Sequence, residues 1–274
     1  MPPRLLHGLR ALVLFSFAVF FAAPLVWLVL APTKTGQELL TAGPFSFGSL
    51  HNVWVAWRQL DSFQDHMFLR WLRNSLVYTF GATALTMITV IPAGYGLAIG
   101  RFPGRRLVLS LTLVAMVMPP ATLILPIFLE LNAVRLIGSP LSVILPLAFF
   151  PFGVYLAYLY YATALPPGLF DAARVDGCTE WQTFRLVALP LAMPLVAFVF
   201  FFAFVADWNN FFIPYVVLVD SSQYPVEVGL NDIFQGSPPV TALAALIAVM
   251  PVALVFVFSQ RALVRGLVDG ASVG

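Results

Sequence analysis

The sequence is poor in cysteine, histidine and charge. Cys178 is the only cysteine among 274 residues, which excludes an internal disulfide and a cysteine-cluster metal site. The three histidines, His7, His51 and His66, have no metal-ligand spacing, and we expect each at a surface or interfacial position. Charged residues make up 9% of the chain and the formal net charge is +2, so nothing indicates a nucleic-acid partner.

Lysine is almost absent, since Lys34 is the only one. No Gly-x-x-x-x-Gly run precedes it, so the sequence has no P-loop and does not bind ATP in the Walker manner. No histidine lies in any of the long apolar runs, and no Ser/His/Asp or paired-carboxylate set occurs in them. A membrane-embedded enzyme is therefore only a remote alternative. A lone channel is also poorly supported, because no charged ring or filter motif is visible.

Hydrophobic residues, by contrast, make up 61% of the chain, and the mean hydropathy is +0.93. This composition is typical of a multi-span membrane protein. We predict an all-α polytopic membrane helix bundle with about six transmembrane helices, the first of them a retained helix rather than a signal peptide. The apolar windows lie near residues 11–31, 75–100, 107–129, 140–162, 191–219 and 241–260.

The distribution of basic residues predicts the orientation of these spans. Nine lie on one side and five on the other, and the positive-inside rule places the side with nine in the cytoplasm. Both termini and residues 163–190 are then cytoplasmic. The nine are Arg4, Arg10, Arg101, Arg105, Arg106, Arg174, Arg185, Arg261 and Arg265, and the five are Lys34, Arg58, Arg70, Arg73 and Arg135.

The largest external loop, about residues 32–74, is rich in aromatic side chains. They are suited to the membrane interface or to an external partner, and interfacial anchoring is the commoner use. We also expect Asn74 and Ser75 to cap the second span. The aromatic residues are Trp54, Trp57, Phe63, Phe68 and Trp71.

Two features inside the spans suggest a solute pathway. Pro119 and Pro120 are adjacent residues without an N–H, so the helix must loosen around them, either as ordinary kinking or beside a water-filled cavity. The fifth span contains the polar run Asp207, Trp208, Asn209 and Asn210. We expect Asp207 to face the bundle interior or a polar mouth, while the tryptophan and the two amides suit an uncharged polyol. The alternative is a helix end near the interface with an anchoring tryptophan.

The most informative segment is the polar run at residues 171–194. Leu169 to Val175 suits a short helix, and Gly177 stands where a left-handed residue ends one. Thr179 and Gln182 then have the spacing of a capping box, and the second helix is expected to end near Ala188 because Pro190 follows. The sequence predicts a helix-turn-helix presented to a partner. The alternative is a surface loop that only links two spans.

This run resembles the EAA loop of permease subunits in bacterial ATP-binding-cassette importers, roughly E-A-A-x-x-D-G-A followed after nine residues by I-x-L-P. The segments RNSLVYTF at 73–80, AGYGLAIGRFPGRR at 93–106, ADWNNFF at 206–212 and QRALVRGLVDGA at 260–271 are similar to the carbohydrate-importing, maltose-type branch. Asp171 stands where the family has Glu, and Cys178 where it usually has Ala. The residues that match the loop are Ala172, Ala173, Asp176, Gly177, Val187, Leu189 and Pro190.

The resemblance implies a single permease domain over residues 1–274 in the bacterial cytoplasmic membrane, surrounded by lipid. It implies a second permease subunit, two ATPase subunits that bind ATP and Mg, and an extracellular solute-binding protein. Residues 171–173, 176 and 177 would couple the chain to the ATPase through a cytoplasmic loop at about 163–190, with no catalytic chemistry in this chain. A sugar is the favoured solute; a glycerophosphodiester, a polyamine or a peptide is the alternative.

Overall fold

The computed structural model describes residues 3–234 and 236–271, with the side chains of residues 7–166, 168–234 and 236–260. These residues form α-helices, short 3₁₀ turns, one π-helical turn and loops, and no β-strand occurs among them. The predicted all-α class is confirmed. The helices are α1 Pro3–Leu30, α2 Gly36–Thr41, α3 Leu50–Asp61, α4 Met67–Ile99, α5 Arg105–Val117, α6 Pro120–Ala133, α7 Pro140–Leu147, α8 Pro151–Thr163, α9 Pro167–Val175, α10 Glu180–Thr183, α11 Leu189–Leu191, α12 Met193–Trp208, α13 Phe212–Val217, α14 Val226–Ile233 and α15 Pro238–Ala271.

The candidate spans account for the six predicted windows when each bent pair counts as one span, but the fifth then covers residues 180–208 instead of the predicted 191–219. Within the described residues, four helical segments are long and apolar enough to cross a membrane, and two bent pairs raise the number to six if each pair is one span. The extreme termini, residues 1–2 and 272–274, lie outside the described residues, so their predicted cytoplasmic position stays a prediction. The four are His7–Thr33, Met67–Ile99, Pro140–Thr163 and Pro238–Gln260, and the pairs are Arg105–Val117 with Pro120–Ala133 and Glu180–Leu191 with Met193–Trp208.

The chain divides into two compact units, Met1–Leu72 with Val228–Met250 and Arg73–Glu227 with Pro251–Gly274. In the first unit, Thr33 at the end of the first span accepts two hydrogen bonds. Gly48 N–H donates to the Thr33 hydroxyl at 3.0 Å, and Ser49 N–H donates to the Thr33 carbonyl at 2.6 Å. Lys34 is 2% exposed, and its Nζ donates to the carbonyls of Gly43 at 2.7 Å and Pro44 at 3.1 Å. The chain is therefore tightly folded where it leaves the first span.

The aromatic residues of the external segment do not act as one group. Trp54 is exposed, with the Arg58 guanidinium 5.1 Å from its ring centre, whereas Phe68 and Trp71 are fully buried. A side chain at Gly229 would overlap the Trp71 ring, so this glycine permits the packing of the indole. Interfacial or partner-facing roles are thus wrong for Phe68 and Trp71, which belong to the core of this unit.

The second unit corrects the prediction that Asn74 and Ser75 cap the second span. The helix begins earlier, at Met67, and both residues lie inside it. Asn74 Nδ2 donates to the Ser222 carbonyl at 2.8 Å, and Ser75 Oγ accepts from Val226 N–H at 2.7 Å. Tertiary partners about 150 residues away in sequence use the polar groups that the local pattern assigned to a cap.

Helices α4 and α8 pack closely in the second unit. A Cβ at Gly94 would overlap Ala157 Cβ and lie 2.8 Å from the Ala157 carbonyl carbon. Ala157, Val90 and Ile91 are all buried in the same cluster, together with Phe170 and Phe184 from the segment that follows α8. The C-terminal end of α4 therefore packs against the helix-turn-helix.

Candidate functional site

The predicted helix-turn-helix is present, and its first helix ends as the sequence indicates. Helix α9 begins at Pro167, where a missing N–H costs nothing, and its C-cap is Asp176. Gly177 follows with φ +83°. Its N–H donates to the Arg174 carbonyl at 3.1 Å, and Cys178 N–H donates to the Ala173 carbonyl at 3.0 Å. This pair of bonds is a Schellman motif, which requires a left-handed residue at position 177.

The second helix begins with the predicted capping box. Thr179 Oγ1 accepts from Gln182 N–H at 3.3 Å, and Gln182 Oε1 accepts from Thr179 N–H at 2.8 Å. The prediction that Pro190 ends this helix near Ala188 is wrong. A π-helical turn at Phe184–Ala188 continues into α11, and Pro190 lies in the first turn of α11, where its ring is accommodated. The bend comes at Ala192, with 78° between the two arms.

Ion pairs join the two helices across the turn. The Arg174 guanidinium contacts Asp171 Oδ1 at 3.0 Å and Glu180 Oε1 at 2.9 Å. The hydrogen bond that Arg174 donates to Glu180, with a smaller contribution from Asp171, raises the pKa of Arg174 above its ordinary value. Of the five residues predicted to couple, Asp171, Ala172, Asp176 and Gly177 are exposed, whereas Ala173 is buried. The structure thus brings all five together and leaves four of them accessible.

Two large apolar side chains are exposed beside this turn. Val175 at the end of α9 is 87% exposed, and Trp181 at the start of α10 is 63% exposed. We call these two side chains, with the exposed Gly177 between them in sequence, the docking edge. Val175 lies outside the candidate spans, whereas Trp181 belongs to the Glu180–Leu191 arm of the second bent pair. Exposed apolar side chains beside a capped turn are a candidate contact surface for a partner.

Aromatic packing anchors the helix-turn-helix on the spans. The Tyr95 ring centre lies 5.9 Å from that of Phe170, which precedes the turn, and 5.2 Å from that of Phe184, which follows it. Tyr161 on α8 completes the group, with its ring centre 5.5 Å from that of Tyr95. A cavity of about 520 Å³ lies beside it, lined by Tyr95, Gly100 and Arg101 on one side and by the residues of the Arg174 ion pairs on the other.

The predicted pathway residues separate into buried and accessible groups. Asp207 is 7% exposed and its Oδ2 accepts from the Thr83 hydroxyl at 3.0 Å, which confirms that it faces the interior. Trp208 is 2% exposed, and its ring is stacked on Phe204 with a centre-to-centre distance of 5.8 Å. These two side chains hold the end of α12 against the rest of the unit, and the Trp208 face is used within the chain.

The two asparagines are more accessible. Asn209 is exposed and its Nδ2 donates to the Val205 carbonyl at 2.7 Å, while Asn210 is half-buried and its Oδ1 accepts from Ile213 N–H at 3.1 Å. Each therefore keeps part of its amide for other partners. Pro119 and Pro120 are exposed at the break between α5 and α6, where the helix axis turns by 110°. This confirms that the paired prolines break the helix.

Sequence reasoning missed Arg174, Glu180 and Thr83. The first two carried a local signal, because Asp171 and Arg174 are three residues apart and Glu180 directly follows an N-cap. Thr83 carried none, since its partner Asp207 is 124 residues away in sequence.

Four apolar helical segments long enough to cross a membrane, two bent helix pairs and a capped helix pair that exposes apolar side chains, all among the described residues, define the class: an integral membrane protein. The chain belongs to the family of binding-protein-dependent transport system inner membrane components, whose profile matches residues 90–269. It is therefore an inner-membrane transport permease.

Curated relatives extend the similarity to almost the whole chain. It is 31% identical to the arabinooligosaccharides transport system permease protein AraQ of Bacillus subtilis, over 96% of this chain and 95% of that one. It is 28% identical to the lactose transport system permease protein LacG of Rhizobium radiobacter, over 92% of each. A solved bacterial ABC transporter involved in the import of the acidic polysaccharide alginate has the same fold, with a TM-score of 0.81, 21% identity and coverage of 94% of this chain and 96% of that one.

Proposed function

We propose that this chain is the transmembrane permease subunit of an ATP-driven importer for a sugar or oligosaccharide. The observation that carries the proposal is the docking edge, an exposed Val175 and Trp181 on a capped helix pair. The ATPase is the partner that this edge fits, because closure of its nucleotide sites must be passed to the spans. The aromatic group of Tyr95, Phe170 and Phe184 provides the mechanical link from the edge to α4.

The proposed complex contains a second permease, two ATPase subunits with their ATP and Mg, and an extracellular solute-binding protein. The chemistry of Lys34 supports the assignment of ATP to the partners. This single lysine is 2% exposed and its Nζ donates to the carbonyls of Gly43 and Pro44, so its ammonium group is not available to bind a phosphate. Both termini and the helix-turn-helix lie in the cytoplasm in this proposal, as the distribution of basic residues predicts.

The sugar assignment is supported by the names of the relatives, which transport arabinooligosaccharides, lactose and, for a Streptomyces coelicolor permease that is 27% identical, diacetylchitobiose. We place the pathway at the accessible part of the polar break, Asn209 and Asn210, and at the break before Pro120. The side-chain atoms Asn209 Oδ1 and Asn210 Nδ2 are the groups left to hydrogen-bond sugar hydroxyls. Asp207 and Trp208 support this segment from behind.

Uptake into vesicles tests both the ATP-driven import of a sugar and the proposed location of the pathway. The complex assembled from this chain, its second permease and its ATPase, with the solute-binding protein added outside, is expected to accumulate a radiolabelled oligosaccharide only when ATP is supplied. Asn209→Leu is expected to reduce uptake while complex assembly and basal ATP hydrolysis persist, because it removes an amide without disturbing a buried contact. Uptake and hydrolysis are measured on the same vesicles.

Asn231→Leu is the matched control, since Asn231 is also exposed but lies on α14, away from the polar break in sequence. Its uptake is expected to equal that of the unmodified complex. Normal uptake by the Asn209 variant would remove the polar break from the pathway. Accumulation of a polyamine or a peptide instead of a sugar would contradict the proposed substrate class.

A further inference from the structure

The turn at Asp176–Thr179 is crossed by a single cation that binds two carboxylates. Arg174 Nη1 donates to Asp171 Oδ1 at 3.0 Å on its own helix. On the other side of the turn, Nε donates to Glu180 Oε1 at 2.9 Å and Nη2 to Glu180 Oε2 at 3.5 Å. All three guanidinium nitrogens are used, and the two-nitrogen contact with Glu180 fixes the direction of approach as well as the distance.

Within the two helices and the turn, Arg174 is the base that pairs with the acidic residues Asp171 and Glu180. Residues 167–184 contain three acids, Asp171, Asp176 and Glu180, and one base, Arg174. Without the guanidinium, Asp171 and Glu180 would be like charges facing each other across a tight turn and would repel. Ion pairs that share one already restricted side chain form a network, unlike isolated surface pairs of little consequence.

The hydrogen bonds of the turn do not join one helix to the other. The Schellman bonds and the capping box close the end of α9 and the start of α10, but each acts within its own helix end. The Arg174 contacts are the polar side-chain link from one helix to the other within the described residues of this loop. The docking edge has one side chain on each helix, so its shape depends on the angle between the helices.

We propose that Arg174 is a positioning residue that clamps α9 to α10 and so fixes the shape of the docking edge. This inference rests on the proposed function for the identity of the partner, but the clamp itself is a property of this chain. It also assigns a role to Asp171, whose carboxylate is engaged inside the loop. These three residues and Tyr95 line the same cavity, beside the C-terminal end of α4.

Cys178 provides a built-in reporter, because it is the only cysteine of the chain and lies inside the clamped turn. A nitroxide attached there in membranes stripped of the ATPase reports the mobility of the turn by electron paramagnetic resonance, and uptake is measured on the unlabelled assembled complex. Arg174→Gln is expected to narrow the spectrum and to lower vesicle uptake by about fivefold, the effect of losing two ion pairs of ordinary strength. For Arg174→Lys, the mobility of the turn and the uptake are both expected to lie between those of Arg174→Gln and of the unmodified chain. An ammonium cannot bind both carboxylates in the same geometry as a guanidinium.

The exchanged pair Arg174→Glu with Glu180→Arg separates positioning from direct contact with a partner. It restores an ion pair across the same turn, but residue 174 then carries a charge like that of Asp171, so restricted mobility and uptake are both expected to return only in part. An unchanged spectrum in Arg174→Gln would overturn the clamp. Restored immobility without restored uptake would also overturn the positioning role, because residue 174 would then contact the partner itself. A mobile turn with normal uptake in Arg174→Gln would support the clamp as a property of this chain and contradict the coupling role of the loop.

Discussion

Replacing Gly177 with valine is expected to abolish solute uptake while the permease still reaches the membrane at near-normal levels. Gly177 has φ +83° and no atom lies within 4 Å of the position that a Cβ would occupy, so the penalty is backbone strain and not a clash. A left-handed residue with a side chain costs about 1–2 kcal/mol, which is comparable to the 1–3 kcal/mol typical of coupling between sites. Uptake and membrane abundance are measured together.

Two variants in the same loop serve as controls. Gly168→Val places the same side chain in α9, where the backbone has no positive φ and the Cβ position is equally open, so near-normal uptake is expected. Gly177→Asn is expected to retain much of the activity, because asparagine tolerates the left-handed region better than other residues with a side chain. Full uptake by the Gly177→Val variant at normal abundance would remove this loop from its proposed role.

Gly94→Val is expected to have the opposite phenotype, a loss of folded protein from the membrane. The valine Cβ would overlap Ala157 Cβ on α8 and come within 2.8 Å of the Ala157 carbonyl carbon and 2.9 Å of the Tyr158 nitrogen. Backbone atoms cannot yield as the end of a flexible side chain can, so α4 and α8 must separate. Overpacking of this kind costs typically 1–3 kcal/mol or more. Membrane abundance and resistance to limited proteolysis report the loss.

Gly96 offers a control two residues along the same helix. No atom lies within 4 Å of its Cβ position, and it has no positive φ, so Gly96→Val is expected to be as abundant as the unmodified chain. Equal abundance of the two variants would contradict the close packing of α4 on α8.

The features predicted correctly from the sequence depend on neighbours a few residues apart. Gly177 at the end of α9 and the Thr179–Gln182 capping box obey local stereochemistry, and the six apolar windows depend only on the thickness of the membrane. The same local reasoning failed at Pro190. It assumed an α-helical hydrogen-bond ladder, whereas a π-helical turn places the proline at a position that tolerates it.

Contacts between segments far apart in the chain could not be predicted from one sequence. Asn74 and Ser75 have the chemistry of a cap, but they bind Ser222 and Val226. Asp207 was expected to face inward, but the sequence around it gave no indication that Thr83 is the hydrogen-bond donor. The clamp is an intermediate case: the spacing of Asp171 and Arg174 is helical, but the bond to Glu180 exists only because the Schellman turn reverses the chain.

The accessibility of Cys178 tests the central claim most directly, namely that residues 167–191 are a cytoplasmic surface covered by the ATPase. Cys178 is half-buried in the turn and is the only thiol in the chain, so a membrane-impermeant maleimide reports on this site alone. The account predicts no labelling in intact cells, labelling in inverted vesicles stripped of the ATPase, and loss of that labelling when the ATPase is added back. Labelling in intact cells, or labelling unaffected by the ATPase, would contradict it.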